Sequence, residues 1–217
     1  MIGVGLYAGA RIPHGGFGPI EWVAGADSAN VPTAGLLIPP HQAGDLIIAW
    51  AHSTVGSLPA LPAGWTNILV SGVRVFSLNT RIYCIRDVAN AVNTLALPGT
   101  TSDVGFMIYR NASGAGAAVM GAESTNMSGD ISGTTPSLGS LNAGSWGIGG
   151  MDINQGDPPM GVPAALTARI RRDASLGGGI GSVCDTNGIV TSYAGGDVFT
   201  WVSPAIWAGF AFEILNG

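Results

Sequence analysis

The sequence contains no lysine and few charged residues of any kind. All eight basic residues are arginines, 10% of the 217 residues are charged, and the formal net charge is −5. Because contacts with phosphate groups need a basic surface, this balance argues against binding to nucleic acid. The chain is 47% hydrophobic and has too few charged residues to keep an isolated monomer soluble. We therefore expect partner subunits to cover much of the surface. A skewed base composition in the source genome would explain the same bias.

Cysteine and long apolar runs are also scarce. Cys84 and Cys184 are too few for a disulfide framework, and their strand-like surroundings predict two buried, reduced thiols. No run approaches the ~20 apolar residues that span a bilayer, which argues against membrane insertion. The N-terminus has no basic residue ahead of its apolar stretch and makes a poor signal peptide, so we expect synthesis in the cytoplasm.

Helical periodicity is absent, whereas short strand-like segments separated by Gly, Pro, Asn, Asp and Ser follow one another. The continuous apolar run within residues 45–52 predicts a central strand that is covered on both faces. We find no internal repeat and no linker long enough to separate two domains. The sequence therefore predicts an all-β protein, a jelly-roll-like antiparallel β-sandwich formed as a single domain by residues 20–217.

Two segments fall outside the clear strand pattern. Residues 1–19 mix apolar side chains with glycine without regular alternation, which predicts an N-terminal assembly arm. Residues 112–144 are small and polar, which predicts either a long excursion or a set of edge strands. The predicted core residues are Leu46, Ile48, Trp65, Phe76, Ile82, Met107 and Phe210.

No arrangement typical of an enzyme or a cofactor site is present. The sequence has no Gly-x-Ser-x-Gly element, no phosphate-binding glycine motif, and no His/Cys spacing suited to a metal. Asp152 and Asp157 resemble the carboxylate pair of a glycosidase. Turn capping and calcium ligation are the alternative roles, and we favour turn capping because aspartate is a standard turn residue. We therefore expect a protein that is not an enzyme and holds no cofactor.

Five residues are candidates for contact with a partner or a glycan. Indole rings stack on sugars. Trp65, Trp201 and Trp207 have core-like surroundings, which leaves Trp22, Trp50 and Trp146, and of these we select Trp22 and Trp146. Arg169, Arg171 and Arg172 hold three of the eight basic residues and could dock an acidic surface or an anionic glycan. A solvated strand edge protected by charge is the alternative interpretation of the arginines.

Four elements of the first half occur in an order that resembles a known module. They are residues 37–39 with 43–47, residues 62–66, residues 82–89, and residues 106–110. Together they resemble a β-sandwich module of phage tail-fibre, tail-tip and related virion structural proteins. Cys84 departs from the pattern, since relatives tend to have an aromatic residue there, and residues 1–19 align with nothing.

The resemblance implies a non-enzymatic virion protein that is made in the cytoplasm of a bacterial host. Its most frequent implication is a tail-fibre or tail-tip component that contacts the host through protein, or host surface glycan, binding. Expected partners are other virion proteins and further copies of the chain, with a homotrimer favoured. The alternatives are a capsid decoration protein on the phage head and a lectin-like carbohydrate-binding module.

Overall fold

The computed structural model describes residues 18–29, 36–53, 58–73, 78–95, 103–124, 130–153, 160–172 and 180–217. Within these ranges the chain forms sixteen strands and no helix, so no helix there could cross a bilayer. The strands are β1 (Glu21–Ala29), β2 (Leu36–Leu37), β3 (Leu46–Ser53), β4 (Thr66–Val73), β5 (Leu78–Arg86), β6 (Thr94–Leu95), β7 (Asp103–Arg110), β8 (Ala112–Ser124), β9 (Ser132–Thr134), β10 (Gly139–Ser140), β11 (Trp146–Ile153), β12 (Thr167–Arg172), β13 (Ile180–Asp185), β14 (Ser192–Tyr193), β15 (Val198–Thr200) and β16 (Trp207–Asn216).

Two five-stranded antiparallel sheets pack face to face. The first has the strand order β1-β7-β3-β5-β4, and the second has the order β8-β16-β11-β13-β12. The edge strand β4 lies against β8, and the edge strand β1 lies against β12. The predicted all-β, single-domain sandwich is confirmed, and each of its sheets comes from one half of the chain.

The main core lies between the sheets, and each sheet also has a covered outer face. Alternate residues of β3 explain its continuous apolar run, because Leu46, Ile48 and Trp50 enter the inter-sheet core while Ile47 and Ala49 face outward. The outward residues lie beneath cover that includes β2 and β6, so all eight residues of β3 are buried. The predicted central strand is confirmed, and both of its neighbours, β5 and β7, belong to the same chain.

The two halves have the same architecture, although the sequence shows no internal repeat. In each half the first strand of the large sheet lies at one edge, the last strand lies beside it, and the second strand lies at the centre. These strands are β1, β7 and β3 in the first half and β8, β16 and β11 in the second. The turn before each central strand closes with the same hydrogen bond, from Asp45 N–H to Gln42 O at 3.1 Å and from Ser145 N–H to Asn142 O at 3.2 Å. Equivalent bulges interrupt β4 between Asn67 and Leu69, and β12 between Ala168 and Ile170.

Most of the predicted core is confirmed. Six of the seven residues are buried, namely Leu46, Ile48, Trp65, Ile82, Met107 and Phe210. Phe76 and the predicted arm, apart from its last two residues, lie outside the described residues. Within residues 112–144, β8 is an edge strand of the second sheet, as one of the two interpretations predicts.

The two cysteines are free and buried, as predicted. Cys84 faces the core between the sheets, whereas Cys184 belongs to the cluster on the outer face of the second sheet.

Candidate functional site

Three of the five predicted contact residues meet where β1 lies against β12. The Arg169 guanidinium stacks over the Trp22 ring at 4.5 Å from its centroid. Tyr109 contacts Trp22 edge to face at 5.4 Å and Trp146 at 5.9 Å. At the base of this cluster, Asp185 accepts hydrogen bonds from Tyr109 Oη at 2.9 Å and from Arg169 Nε at 2.7 Å. These five residues, which we call the aromatic-ion cluster, connect both sheets of the sandwich.

Local backbone features give the cluster its geometry. A β-bulge re-aims side chains, and bulges occur between Trp22 and Ala24 and between Ala168 and Ile170, next to the two stacked side chains. Gly25 supplies space for the indole, because a Cβ atom there would lie 2.7 Å from the Trp22 ring. Two bulges and one glycine therefore position the stack of Arg169 on Trp22.

The charged and phenolic groups of the cluster bind one another inside the protein, whereas the Trp146 indole N–H is buried without a hydrogen-bond partner among the described residues. Asp185 is fully buried, and its second oxygen accepts the Asn187 N–H at 3.0 Å. Arg169 also donates to the Asn187 side chain at 2.7 Å. Burial raises the pKa of Tyr109 well above 10, and the neighbouring Asp185 carboxylate raises it further, so the phenol stays a hydrogen-bond donor. A buried carboxylate needs such partners, because an unpaired charge in the interior is strongly unfavourable.

These contacts correct part of the predicted contact surface. Trp146 is 6% exposed, so it is a core residue and presents no ring face to a sugar. Trp22 is half-buried beneath Arg169, whose side chain is 10% exposed. Arg171 is exposed, and the side chain of Arg172 lies outside the described part of the structure. Sequence reasoning missed Tyr109 and Asp185, which lie 76 positions apart and have no local signature.

A second polar group lies at the opposite end of the inter-sheet core. His52 Nδ1 is 3.4 Å from Thr80 Oγ1, and Thr80 donates to Asp152. Asp152 lies inside β11 and is buried, so it is not the turn-capping residue that we favoured from the sequence. Asp157, its proposed partner, lies outside the described residues. Among the residues that the structure describes, no group of three or more His, Cys, Asp or Glu could hold a metal.

Two buried acids, Asp45 and Asp87, stabilise turns at the end of the first sheet opposite to His52. Asp45 accepts two hydrogen bonds from Arg110, both at 3.1 Å, and one from Gln42 N–H at 2.8 Å. Asp87 pairs with His41 Nε2 at 3.0 Å. The turn before β3 is therefore tied to the ends of both neighbouring strands, β5 and β7.

The Asp87–His41 pair predicts how stability depends on pH. Burial alone would raise the pKa of Asp87, but hydrogen bonds from the Ala91, Val92 and Ala89 N–H groups and from His41 lower it from 3.8 to about 2. Burial alone would lower the pKa of His41, but bonds to Pro39 O and Asp87 raise it above 6.5. A lowered acid pKa stabilises the fold above the unfolded-state value, and a raised histidine pKa stabilises it below that value.

We therefore expect the pair to stabilise the protein most between the two unfolded-state values, 3.8 and 6.5. Stability should fall as the pH drops toward 2, because Asp87 gains a proton, and should fall modestly as the pH rises through the folded pKa of His41. Urea denaturation at a series of pH values measures this, with His41→Asn as the control. Equal pH dependence above 6.5 in both proteins would contradict the assignment to His41.

Comparison with known proteins adds no relative to this description. Scans of protein-family models, of curated proteins and of solved structures found no match to the chain. The fold is an antiparallel β-sandwich whose two halves share one strand order, and the aromatic-ion cluster connects its two sheets.

Proposed function

We propose that the chain is a structural component of a phage virion, most specifically of a tail fibre or tail tip, and that it acts by binding other proteins at host contact. The observation that carries this proposal is mutual contact among the four elements that resemble the virion module. Asp45 of the first element holds Arg110 of the fourth through two hydrogen bonds of 3.1 Å. Trp65 of the second packs edge to face on Tyr83 of the third at 5.1 Å.

This contact supports the resemblance because the elements are far apart in the sequence. A chance similarity of short motifs would not require them to form one packed unit. In this chain they form the central strands and turns of the first sheet, where β3 pairs with both β5 and β7. The four elements therefore contribute to one sheet, whose strand order the second half repeats, and this supports the resemblance.

The surface supports a role in protein binding. Several large apolar side chains are exposed on the described part of the chain, including Leu37, Val88, Ile189 and Val202. Many of the few ionic groups bind one another internally, as Asp45 with Arg110 and Asp185 with Arg169 do. Together with the low content of charged residues, these exposed apolar side chains are compatible with contact with partner subunits.

Competition for adsorption tests the proposal. If the chain contacts the host at the tail tip, the purified protein should reduce adsorption of phage particles encoded by the same genome in a dose-dependent way. The sandwich denatured by heat is the control. Binding of the protein to isolated capsids without an effect on adsorption would instead indicate the capsid decoration protein, and a response to glycans alone would indicate the lectin-like module.

The N-terminal segment gives a separate prediction about assembly. Pro19 O accepts a hydrogen bond from Asn111 Nδ2 at 2.9 Å, and Ile20 is buried, so residues from 18 onward belong with the sandwich. We expect deletion of residues 1–17 to leave a folded sandwich that no longer forms the homotrimer or joins the particle. Light scattering compares the mass of the two proteins, and circular dichroism verifies the fold. A deleted protein that is still trimeric, or one that is unfolded, would contradict the prediction.

A further inference from the structure

The repeat allows each residue of the aromatic-ion cluster to be compared with its equivalent in the other half. The strand registers define which residues are equivalent. Ile48 of the central strand β3 pairs with Met107 and Cys84, and Ile148 of the central strand β11 pairs with Phe212 and Asp185. Met107 is therefore equivalent to Phe212, and Cys84 to Asp185. On this basis, Ala115 corresponds to Trp22, Ile68 to Arg169, Ile214 to Tyr109, Leu46 to Trp146, and Cys84 to Asp185. The five equivalent residues at the second position are therefore small or aliphatic, where the first position has rings and charges.

A cleft of about 370 Å³ lies at this second position. Its lining includes Leu46 and Cys84, with Thr66, Arg86 and Gly114 nearer the surface. In the other half, the Arg169 guanidinium fills the equivalent space, because it binds Asp185 and Asn187, the equivalents of Cys84 and Arg86. The cleft is large enough for a small-molecule site, and small side chains at its wall leave it open.

We propose that this cleft binds one uncharged aromatic ring of about indole size. In the other half the equivalent space holds the planar Arg169 guanidinium, over which the Trp22 ring stacks, and this favours a planar group as the occupant. The charge of the occupant is expected to differ between the two positions. Asp185 selects a cation, whereas at the cleft Cys84 takes its place and Arg86 lines the wall, so a cation has no counter-ion among the described lining residues. Leu46 and Ile85 are the aliphatic side chains in the lining of the cleft, and a ring can pack against them.

This site does not depend on the proposed virion function, because it rests on the geometry of the two halves alone. The ring could be a free aromatic molecule or the tryptophan of a partner polypeptide. Indole and a short peptide with a single tryptophan are therefore the two probes. Tighter binding of the peptide would indicate a polypeptide partner, and binding of indole alone would indicate a small molecule.

The test compares the wild-type protein with a variant in which the cleft is filled. Ala118 is equivalent to Gly25, the residue that makes room for Trp22, so Ala115→Trp combined with Ala118→Gly transfers the indole and its space to the second position. Ala118→Gly alone is the matched control. Calorimetry should show saturable indole binding to the wild type and the control, and binding weaker by at least about tenfold in the filled variant.

Alkylation of Cys84 gives a readout that does not require the variant to fold. At about pH 9 a small thiolate fraction reacts with iodoacetamide, and a bound ring should slow this reaction. Cys184, which is fully buried on the other face, provides the internal reference. We expect saturating indole to slow alkylation of Cys84 with no effect on Cys184. The proposal is overturned if neither probe binds the wild type, if Cys84 reacts at the same rate with indole present, or if the folded, filled variant binds as tightly as its control.

Discussion

Replacement of Asp185 by alanine is expected to lower the free energy of unfolding by about 3–5 kcal/mol. The carboxylate is fully buried and accepts hydrogen bonds from Tyr109, Arg169 and the Asn187 N–H group. Its loss leaves the Arg169 charge without its counter-ion between the sheets, and this uncompensated charge is the main cost. Urea denaturation of the purified protein measures the effect.

The repeat supplies a matched control for this experiment. Cys84 is equivalent to Asp185 and is also buried, but it carries no charge because burial raises its pKa to about 11. We expect Cys84→Ala to cost clearly less than Asp185→Ala, since no ion pair is broken. If the two variants unfold at the same urea concentration, the aromatic-ion cluster does not fasten the sheets as described.

Replacement of Trp65 by alanine is expected to cost about 3–5 kcal/mol as well. The ring is 8% exposed and packs edge to face on Tyr83 at 5.1 Å, over the outer face of the first sheet. Removal leaves a cavity there and separates two of the elements that resemble the virion module. Thermal and urea denaturation both measure the loss.

Trp65→Phe is the control, since it retains a ring against Tyr83 and should recover part of the stability. A melting temperature for Trp65→Ala within about 1 °C of the wild type would show that the ring contributes little to the core, since 1 kcal/mol shifts the midpoint of a domain of this size by ~2–4 °C.

The burial of individual strands and the positions of turns could be predicted from the sequence, because both depend on local residue patterns. The apolar run of β3 implies burial on both faces, and Ile48 in the inter-sheet core and Ile47 on the outer face show that each side is packed. The turn at Gly44 could also be predicted, and it adopts a positive φ of 93° that favours glycine. Ile82, a predicted core residue, and Cys84, a predicted buried thiol, both face the inter-sheet core.

The repeat and the cluster could not be predicted, because both depend on distant pairs. Equivalent positions in the two halves carry chemically different residues, such as Trp22 and Ala115, or Asp185 and Cys84, so the sequences do not resemble each other there. Strand order and register are the same in spite of this, since backbone hydrogen bonds and burial need only an apolar side chain at each core position. Trp22, Arg169 and Trp146 were selected for their chemistry, but only the fold shows that they contact one another.

An electron cryomicroscopy map of the intact phage particle tests the central claim most directly. The proposal predicts density for the duplicated sandwich at the tail tip or tail fibre, in a rotationally symmetric number of copies, with Asp185 between Tyr109 and Arg169. Density for the sandwich over the shell of the head, or a complete particle without it, would contradict the claim.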